Sequence, residues 1–310
     1  MSCHLTPDRK LVLIVLVFRK VVMRTSLFKL AFAAAALFAP VYNEAWAQTQ
    51  PPTVISLFQS NDRVLVMLTI GDHPPMPAVF DTGTNGNVID MGVAQRLGLE
   101  NRGASRSIDG STGRPVPGFE TFIAGASLGG TPIQDARATA MAFSHPNEVA
   151  IIGPNSFPGQ YVLMDLGRSR LSLYAPADAP EAGEGFPYLG EGGAALPSLN
   201  IELEGRAIPA ILDTGNTSDF LLPLSLAKDL PLESEPVVIG HATSAAGVQD
   251  VYEARLGEDI TIAGVVIHRP KIRFIEGGRP NIGMPVLRQL KLMFDPVQRR
   301  TWVVGAPAAR

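Results

Sequence analysis

The segment RVLVMLTIG, Arg63 to Gly71, alternates in side-chain character with a period of two and contains β-branched residues. LNIELEG, Leu199 to Gly205, does the same. Alternation of this kind predicts half-buried β-strands. Two longer stretches are punctuated by glycine and read as hairpins: TFIAGASLGGTPIQDARATAMAF from Thr121 and ARLGEDITIAGVVIHRPKIRFI from Ala254. Helical spacing is confined to two short patches, MGVAQRLGL from Met91 and LSLAKDLPL from Leu224. The expected class is all-β.

The elements recur. PAVFDTG and PAILDTG align when Asp81 is placed on Asp213, an offset of 213 − 81 = 132. Each is followed by a short helical patch of similar chemistry, the two starting 224 − 91 = 133 residues apart. AIIGPNSF then lies on PNIGMPVL at an offset of 130 (Gly283 minus Gly153), and Asp165 and Asp295 keep that offset. A repeat found at this scale describes the fold as copies of one unit. The predicted architecture is two similar lobes with the site between them. The seam, APADAPEAGEGFPYLGEGGAALPS from Ala175, is rich in Pro, Gly, Ala and Glu, as linkers are. The domains expected are an export segment at 1–47, an N-terminal lobe at 48–175, a linker at 176–196 and a C-terminal lobe at 197–310.

Composition adds limits. Hydrophobic residues make up 46% of the 310, enough for a real core, and 26 basic against 29 acidic residues leave a net charge of −3. A balance so near neutral gives no electrostatic ground for a nucleic-acid or membrane-surface partner. At the N-terminus, Met23 offers a second start. Basic Arg24 and Lys29, an apolar stretch from Leu30 to Val41 and the exit Ala45-Trp46-Ala47 before Gln48 form a signal-peptide pattern. Each apolar run is too short to span a bilayer. The expectation is export, periplasmic or secreted, with no stable membrane insertion after processing; an uncleaved anchor is the alternative. The only cysteine, Cys3, falls in the removed segment, so the mature chain would carry no disulfide.

One Asp-Thr-Gly is a turn: Asp bonds the backbone and Gly tolerates unusual dihedrals. Two copies with matching apolar flanks ask for more. Carboxylates on two such loops, brought together by a pseudo-twofold axis, could not both ionise and would share a proton. The charged member can then take a proton from water while the neutral one donates to a carbonyl oxygen.

VFDTGT and ILDTGN, each followed by an apolar-apolar-Gly block (IIG and NIG), resemble retropepsin-like and pepsin-like aspartic proteases. The likeness runs from about Arg63 to Val304, and NIGMPVLRQLKLMFDPVQRRTWV matches the closing segment of retropepsin-like domains best. The resemblance implies Asp81 and Asp213 as catalytic pair. It implies that Thr82 and Thr214 lock the loops by hydroxyl–backbone bonds. It also implies that Gly83 and Gly215 admit the backbone to the water site, with Thr84 and Asn216 completing the loops. Hairpins around Gly110–Gly113 and Gly240–Gly247 would cover a peptide or protein substrate. The activity implied is aspartic endopeptidase chemistry, without metal or other cofactor. Departures stand beside this. Asn216 and Asn281 occupy positions where the families carry Ser, Thr or Ala and an apolar residue. The first hairpin, SIDGSTGRPVPGFE, has no tyrosine, which favours the retropepsin-like branch. Pro158-Gly159 shortens the helix expected after IIG.

Other signals are weaker. GASLG, Gly125 to Gly129, matches the G-x-S-x-G elbow of serine esterases, but Gly130 and Pro132 follow where a helix would be needed. The histidines (His4, His73, His145, His241, His268) form no metal-binding spacing. His241 reads as a solvated loop residue and Asp109 as a turn residue. Asp165 and Asp295 read as turn caps. The rival to an enzyme is a periplasmic binding or scaffold protein that keeps the fold without hydrolysis. Oligomeric state is left open by the sequence.

Overall fold

The alternation at the start of the first lobe becomes the strand Val64–Ile70, in which Val64, Val66, Leu68 and Ile70 are buried. This is a computed structural model, and it describes residues 50–60, 62–105, 107–109, 114–143, 148–180, 183–244 and 247–305. The expected export segment 1–47 with Cys3 and His4, the hairpin tip with Gly110 and Gly113, and His145 lie outside the described residues. Gln48–Arg310 forms one compact unit, and the duplicated halves are both inside it.

The described residues form three sheets. The N-terminal sheet runs, in order, Gly118–Phe122, Arg137–Met141, Asn87–Asp90, Ala150–Ile152, Met76–Phe80, Val64–Ile70, Ala126–Leu128 and Thr131–Pro132, with Phe58–Gln59 beside Val64–Ile70. The C-terminal sheet repeats this order with Gly247–Arg255, Lys271–Ile275, Phe220–Pro223, Asn281–Gly283, Arg206–Asp213, Ser198–Leu203, Ile260–Ile262 and Val265–Ile267. It adds one edge strand, Val237–Ser244, which pairs with Gly247–Arg255 as a long hairpin. The equivalent stretch in the first half makes only the bridges Ala104 to Phe119 and Ile108 to Pro115 among the described residues.

A six-stranded sheet joins the halves: Thr53–Ser56, Arg170–Tyr174, Tyr161–Asp165, Lys291–Asp295, Arg300–Val303 and Phe186–Pro187. Its central pair is antiparallel, and Leu163 stands opposite Met293. Those residues are 293 − 163 = 130 apart, the offset of the repeat, so the pseudo-twofold axis passes between them. One face of this sheet joins the main core through Val162, Met164, Leu292 and Phe294. The other buries Leu163 and Met293 beneath Trp302. The seam contributes the strand Phe186–Pro187, paired with Arg300 and Thr301, and the Trp302 indole donates to Gly183 O at 3.0 Å. The chain between the halves is therefore built into the shared sheet.

Local capping decides the two helical patches. Asp90 accepts from the Val93 N–H at 3.0 Å and starts the α-helix Met91–Arg96. Its counterpart Pro223 offers no side-chain acceptor, and Leu224–Asp229 takes the tighter 3-10 form. After the apolar-apolar-Gly blocks, the first half has the 3-10 turn Pro154–Ser156 and the second the α-helix Met284–Leu287, in line with the shortening expected from Pro158-Gly159. Asp165 and Asp295 cap turns, accepting from Arg168 N–H and from Val297 and Gln298 N–H. No helix among the described residues is long and apolar enough to cross a membrane.

Candidate active site

Each DTG loop emerges from a strand that is buried where it ends. Ala78, Val79 and Phe80 close one strand, and Ala210, Ile211 and Leu212 lead into Asp213 on the other. The partner strands are parallel: Ile152 lies beside Phe80, and Gly283 beside Asp213. The Asp81 N–H donates to Ile152 O at 2.9 Å, so the loop turns out of the sheet at the aspartate itself. Within each loop the carboxylate folds back on its own backbone. Asp81 Oδ1 accepts from Gly83 N–H at 2.7 Å, and Asp213 Oδ1 accepts from Gly215 N–H at 2.8 Å and Asn216 N–H at 3.1 Å.

The two loops are bound by a reciprocal set of bonds. Thr82 Oγ1 donates to Leu212 O at 2.8 Å and accepts from Thr214 N–H at 3.2 Å. Thr214 Oγ1 donates to Phe80 O at 2.8 Å and accepts from Thr82 N–H at 3.1 Å. Both threonines have no solvent exposure. The hydroxyls are the donors and acceptors that the opposite loop's backbone lacks, so either one missing leaves two buried groups unpaired.

The glycines clear space for the carboxylates. A Cβ at Gly83 would lie 2.8 Å from the Asp213 carboxyl carbon, and one at Gly215 would lie 2.8 Å from Asp81 Oδ2. Each glycine therefore faces the aspartate of the other loop or the meeting point of both. The glycines of IIG and NIG work from behind. A Cβ at Gly153 would lie 3.0 Å from Asp81 O, and one at Gly283 would lie 1.8 Å from Ser218 O.

The two carboxyls meet over Gly215, where a Cβ would lie 2.8 Å from Asp81 Oδ2 and 3.0 Å from Asp213 Oδ1. Burial pushes the Asp81 carboxyl well above the ordinary carboxylate range, the Asp213 charge and hydrogen bond push it the same way, and the Gly83 and Gly215 N–H groups counter this only in part.

The structure gives the two irregular asparagines a place. Asn281, 6% exposed, donates from Nδ2 to Asp213 Oδ2 at 2.5 Å and accepts from Asn216 Nδ2 at 2.8 Å. Asn216 Oδ1 accepts from the Ser218 N–H and Oγ at 2.9 and 2.7 Å. Sequence reasoning treated Asn216 and Asn281 as departures and passed over Ser218. The available signal was that both depart from the other half within the two motifs, Asn216 against Thr84 and Asn281 against Ile151. Thr84, by contrast, turns its hydroxyl to Gly86 O at 2.9 Å.

The remaining candidates fall elsewhere. Gly240 and Gly247 lie on the C-terminal hairpin, whose register shifts between Val238 and Gly240. A Cβ on Gly247 would come within 3.8 Å of the Arg114 guanidinium, so this hairpin tip approaches the first half's hairpin. His241 is on the hairpin strand, not in a loop, and its Nδ1 is 2.8 Å from Asp250 Oδ1 across the ladder. Asp109 donates its N–H to Arg114 O at 2.9 Å. Ser127 sits inside the strand Ala126–Leu128, opposite Thr69 and Pro132, and the chain continues as a strand. The strand–turn–helix of an esterase elbow is absent there.

The family profile described as aspartyl protease matches residues 66–155 and 199–286, one stretch in each half. A search among curated proteins finds no match.

Two outcomes follow from this geometry. Thr214→Val keeps the shape but strands Phe80 O and Thr82 N–H, and is expected to cost about 3 kcal/mol in urea unfolding; a loss under about 1 kcal/mol would show that the grip carries little. The second concerns pH. A raised Asp81 value means that the folded chain keeps a proton which the unfolded chain releases. That stabilisation is complete below the ordinary carboxylate value of about 4 and is lost as pH rises through the raised value. Asp81→Asn is therefore expected to melt with the wild type in acid and above it at neutral pH. Parallel melting curves across this range would contradict the assignment.

Proposed function

We propose, from the premise that this chain belongs to the aspartyl protease family, that it is an aspartic-type endopeptidase in which Asp81 and Asp213 together activate water against a peptide bond. The observation that carries the reading is the meeting of two carboxyls over Gly215, on loops bound by the Thr82 and Thr214 hydroxyls. The proton-sharing logic is the general one for aspartic proteases. Like charges at this separation favour a pair that carries one proton between them. The ionised member takes a proton from water as its oxygen attacks the carbonyl carbon, and the protonated member gives its proton to the carbonyl oxygen. Collapse of the tetrahedral diol breaks the C–N bond, with the amine leaving protonated and the dyad restored to one proton.

Substrate placement follows from the sheet edge. Val237–Ser244 is the outermost strand of the C-terminal sheet, and Val237, Val238, Ile239 and Val248 on its hairpin are exposed. An extended peptide can add to such an edge through its backbone while apolar side chains meet the valines. The hairpin and its first-half counterpart would close over that peptide. The peptide or protein substrate is the one partner this reading requires.

The test uses the purified chain from Gln48 onward with a mixed peptide library from acidic to neutral pH, with and without a statine-type inhibitor. Inhibitable cleavage is expected. Asp81→Asn and Asp213→Asn are each expected to lower turnover about a thousandfold or more with folding retained, and the double variant to be no worse than either. Binding of the inhibitor without any cleavage would replace the enzyme by a binding protein on the same fold. Export belongs to the same proposal. The mature chain is expected to begin at Gln48, read by N-terminal sequencing of exported material, and membrane-bound protein keeping Met1 or Met23 would refute it.

A further inference from the structure

The halves repeat each other in backbone, yet the donors around their carboxyls do not match. Asp213 receives Gly215 N–H and Asn216 N–H on Oδ1, and the Asn281 amide on Oδ2. The residue in register with Asn281 is Ile151 (281 − 130), which has no side-chain donor. The residue in register with Asn216 is Thr84 (216 − 132), whose hydroxyl is spent on Gly86 O. The side-chain and backbone groups that act on Asp81 are Asp213 and the Gly83 and Gly215 N–H groups, with no amide side chain among them.

The direction of the amides is set by the backbone. The Ser218 main-chain N–H can only donate, and it donates to Asn216 Oδ1. Asn216 must then present Nδ2 to Asn281 Oδ1, which leaves Asn281 only its Nδ2 for Asp213. An NH2 group cannot accept from a protonated carboxyl, so this contact favours the ionised form. Asn281 and Ser218 are both buried, where such a bond is least weakened by water. Gly283 makes the space, since a Cβ there would press on Asn216 Nδ2 at 2.8 Å as well as on Ser218 O.

We infer that Asn281, held by Asn216 and Ser218, is a positioning residue that makes the dyad unequal, keeping the negative charge on Asp213 and the shared proton on Asp81. The inference rests on the peptidase reading for its consequence: Asp213 is the base toward water, and Asp81 is the acid toward the carbonyl oxygen. Few other charges bear on the pair. The strands Met76–Phe80, Ala150–Ile152, Phe220–Pro223 and Asn281–Gly283 and the helix Met284–Leu287 carry no titratable side chain. Arg206 stands at the far end of Arg206–Asp213, bonded to Asp229 O. Asp219 follows Ser218, and its carboxyl, raised by burial, is opposed in that by Arg273. The groups that act on Asp81 are Asp213 and the Gly83 and Gly215 N–H groups.

The experiment replaces Asn281 by the residue of the other half. In Asn281→Ile the singly charged pair loses a charge-assisted hydrogen bond, whereas the doubly protonated pair loses only the weaker bond of the same amide to a neutral carboxyl. The first proton loss should therefore move up, shifting the acidic limb of the cleavage profile by about one pH unit. Asn216→Ala keeps Asn281 but frees its amide, and should shift the limb the same way by less. Carboxyl-carbon NMR of 13C-aspartate protein, with signals assigned from Asp81→Asn and Asp213→Asn, reads the pair without substrate. In the wild type the Asp213 carbon should move through the first step and the Asp81 carbon through the second. The inference is overturned if Asp81 titrates first, or if both variants leave the limb in place, including a uniform fall in turnover at every pH. A wild type that cleaves nothing defeats the peptidase reading alone, because the NMR titration still decides where the charge resides.

Discussion

Two acids are held against each other in this chain, and nothing about two carboxylates makes them stay there. The force between them is repulsive whenever both ionise. What opposes it is the reciprocal pairing of Thr82 and Thr214, each hydroxyl donating to the strand behind the opposite loop and accepting that loop's N–H. These bonds are out of contact with water, so their loss would leave polar backbone buried and unpaired. The grip spans the two halves at the point where the repeat axis crosses the site. The six-stranded sheet does the same work below, with Leu163 beside Met293. Between these contacts the halves have little freedom to separate.

Clearance is the second constraint, and it explains the glycines without reference to conformational freedom. Gly83 and Gly215 are glycines because a methyl group would occupy the space of the carboxyls. Gly153 and Gly283 are glycines because the returning loop crosses directly over them. The two motifs, DTG and apolar-apolar-Gly, are thus one device seen from two strands: a loop that must cross a parallel neighbour at close range and still aim its acid outward. Where Asn281 sets its amide on Asp213, the other half carries the hydrocarbon side chain of Ile151.

Symmetry at the level of the backbone therefore coexists with asymmetry at the level of donors. Duplication supplies two equivalent loops, which suffices to bring acids together. Acid–base work on one bond needs unequal partners. The hairpins differ in the same sense, since only the second half forms a long edge ladder among the described residues. A single chain holding both halves is free to diverge at each of these positions separately.

Much of this was legible in the residues. The strands followed from alternation, as at Val64–Ile70, because burial on one face imposes a period of two wherever it occurs. The duplication followed from register, since equal backbone paths need equal turn residues at equal spacing. Asp81, Asp213 and their threonines could be named from the same motif, as could the caps at Asp165 and Asp295, because a turn is a local object. Three features were not local. The patch at Leu224–Asp229 matched its partner in apolar spacing, and a missing cap at Pro223 changed its pitch. The seam read as linker by composition, yet Phe186–Pro187 pairs with a strand over a hundred residues away, as only the assembled sheet could decide. Asn216 and Asn281 looked like defects in a motif because a sequence does not state what a side chain faces. They lie 281 − 216 = 65 residues apart, Asn216 in the DTG loop and Asn281 on the strand parallel to the DTG strand, and only that pairing sets one amide against the other and the Asn281 amide against Asp213.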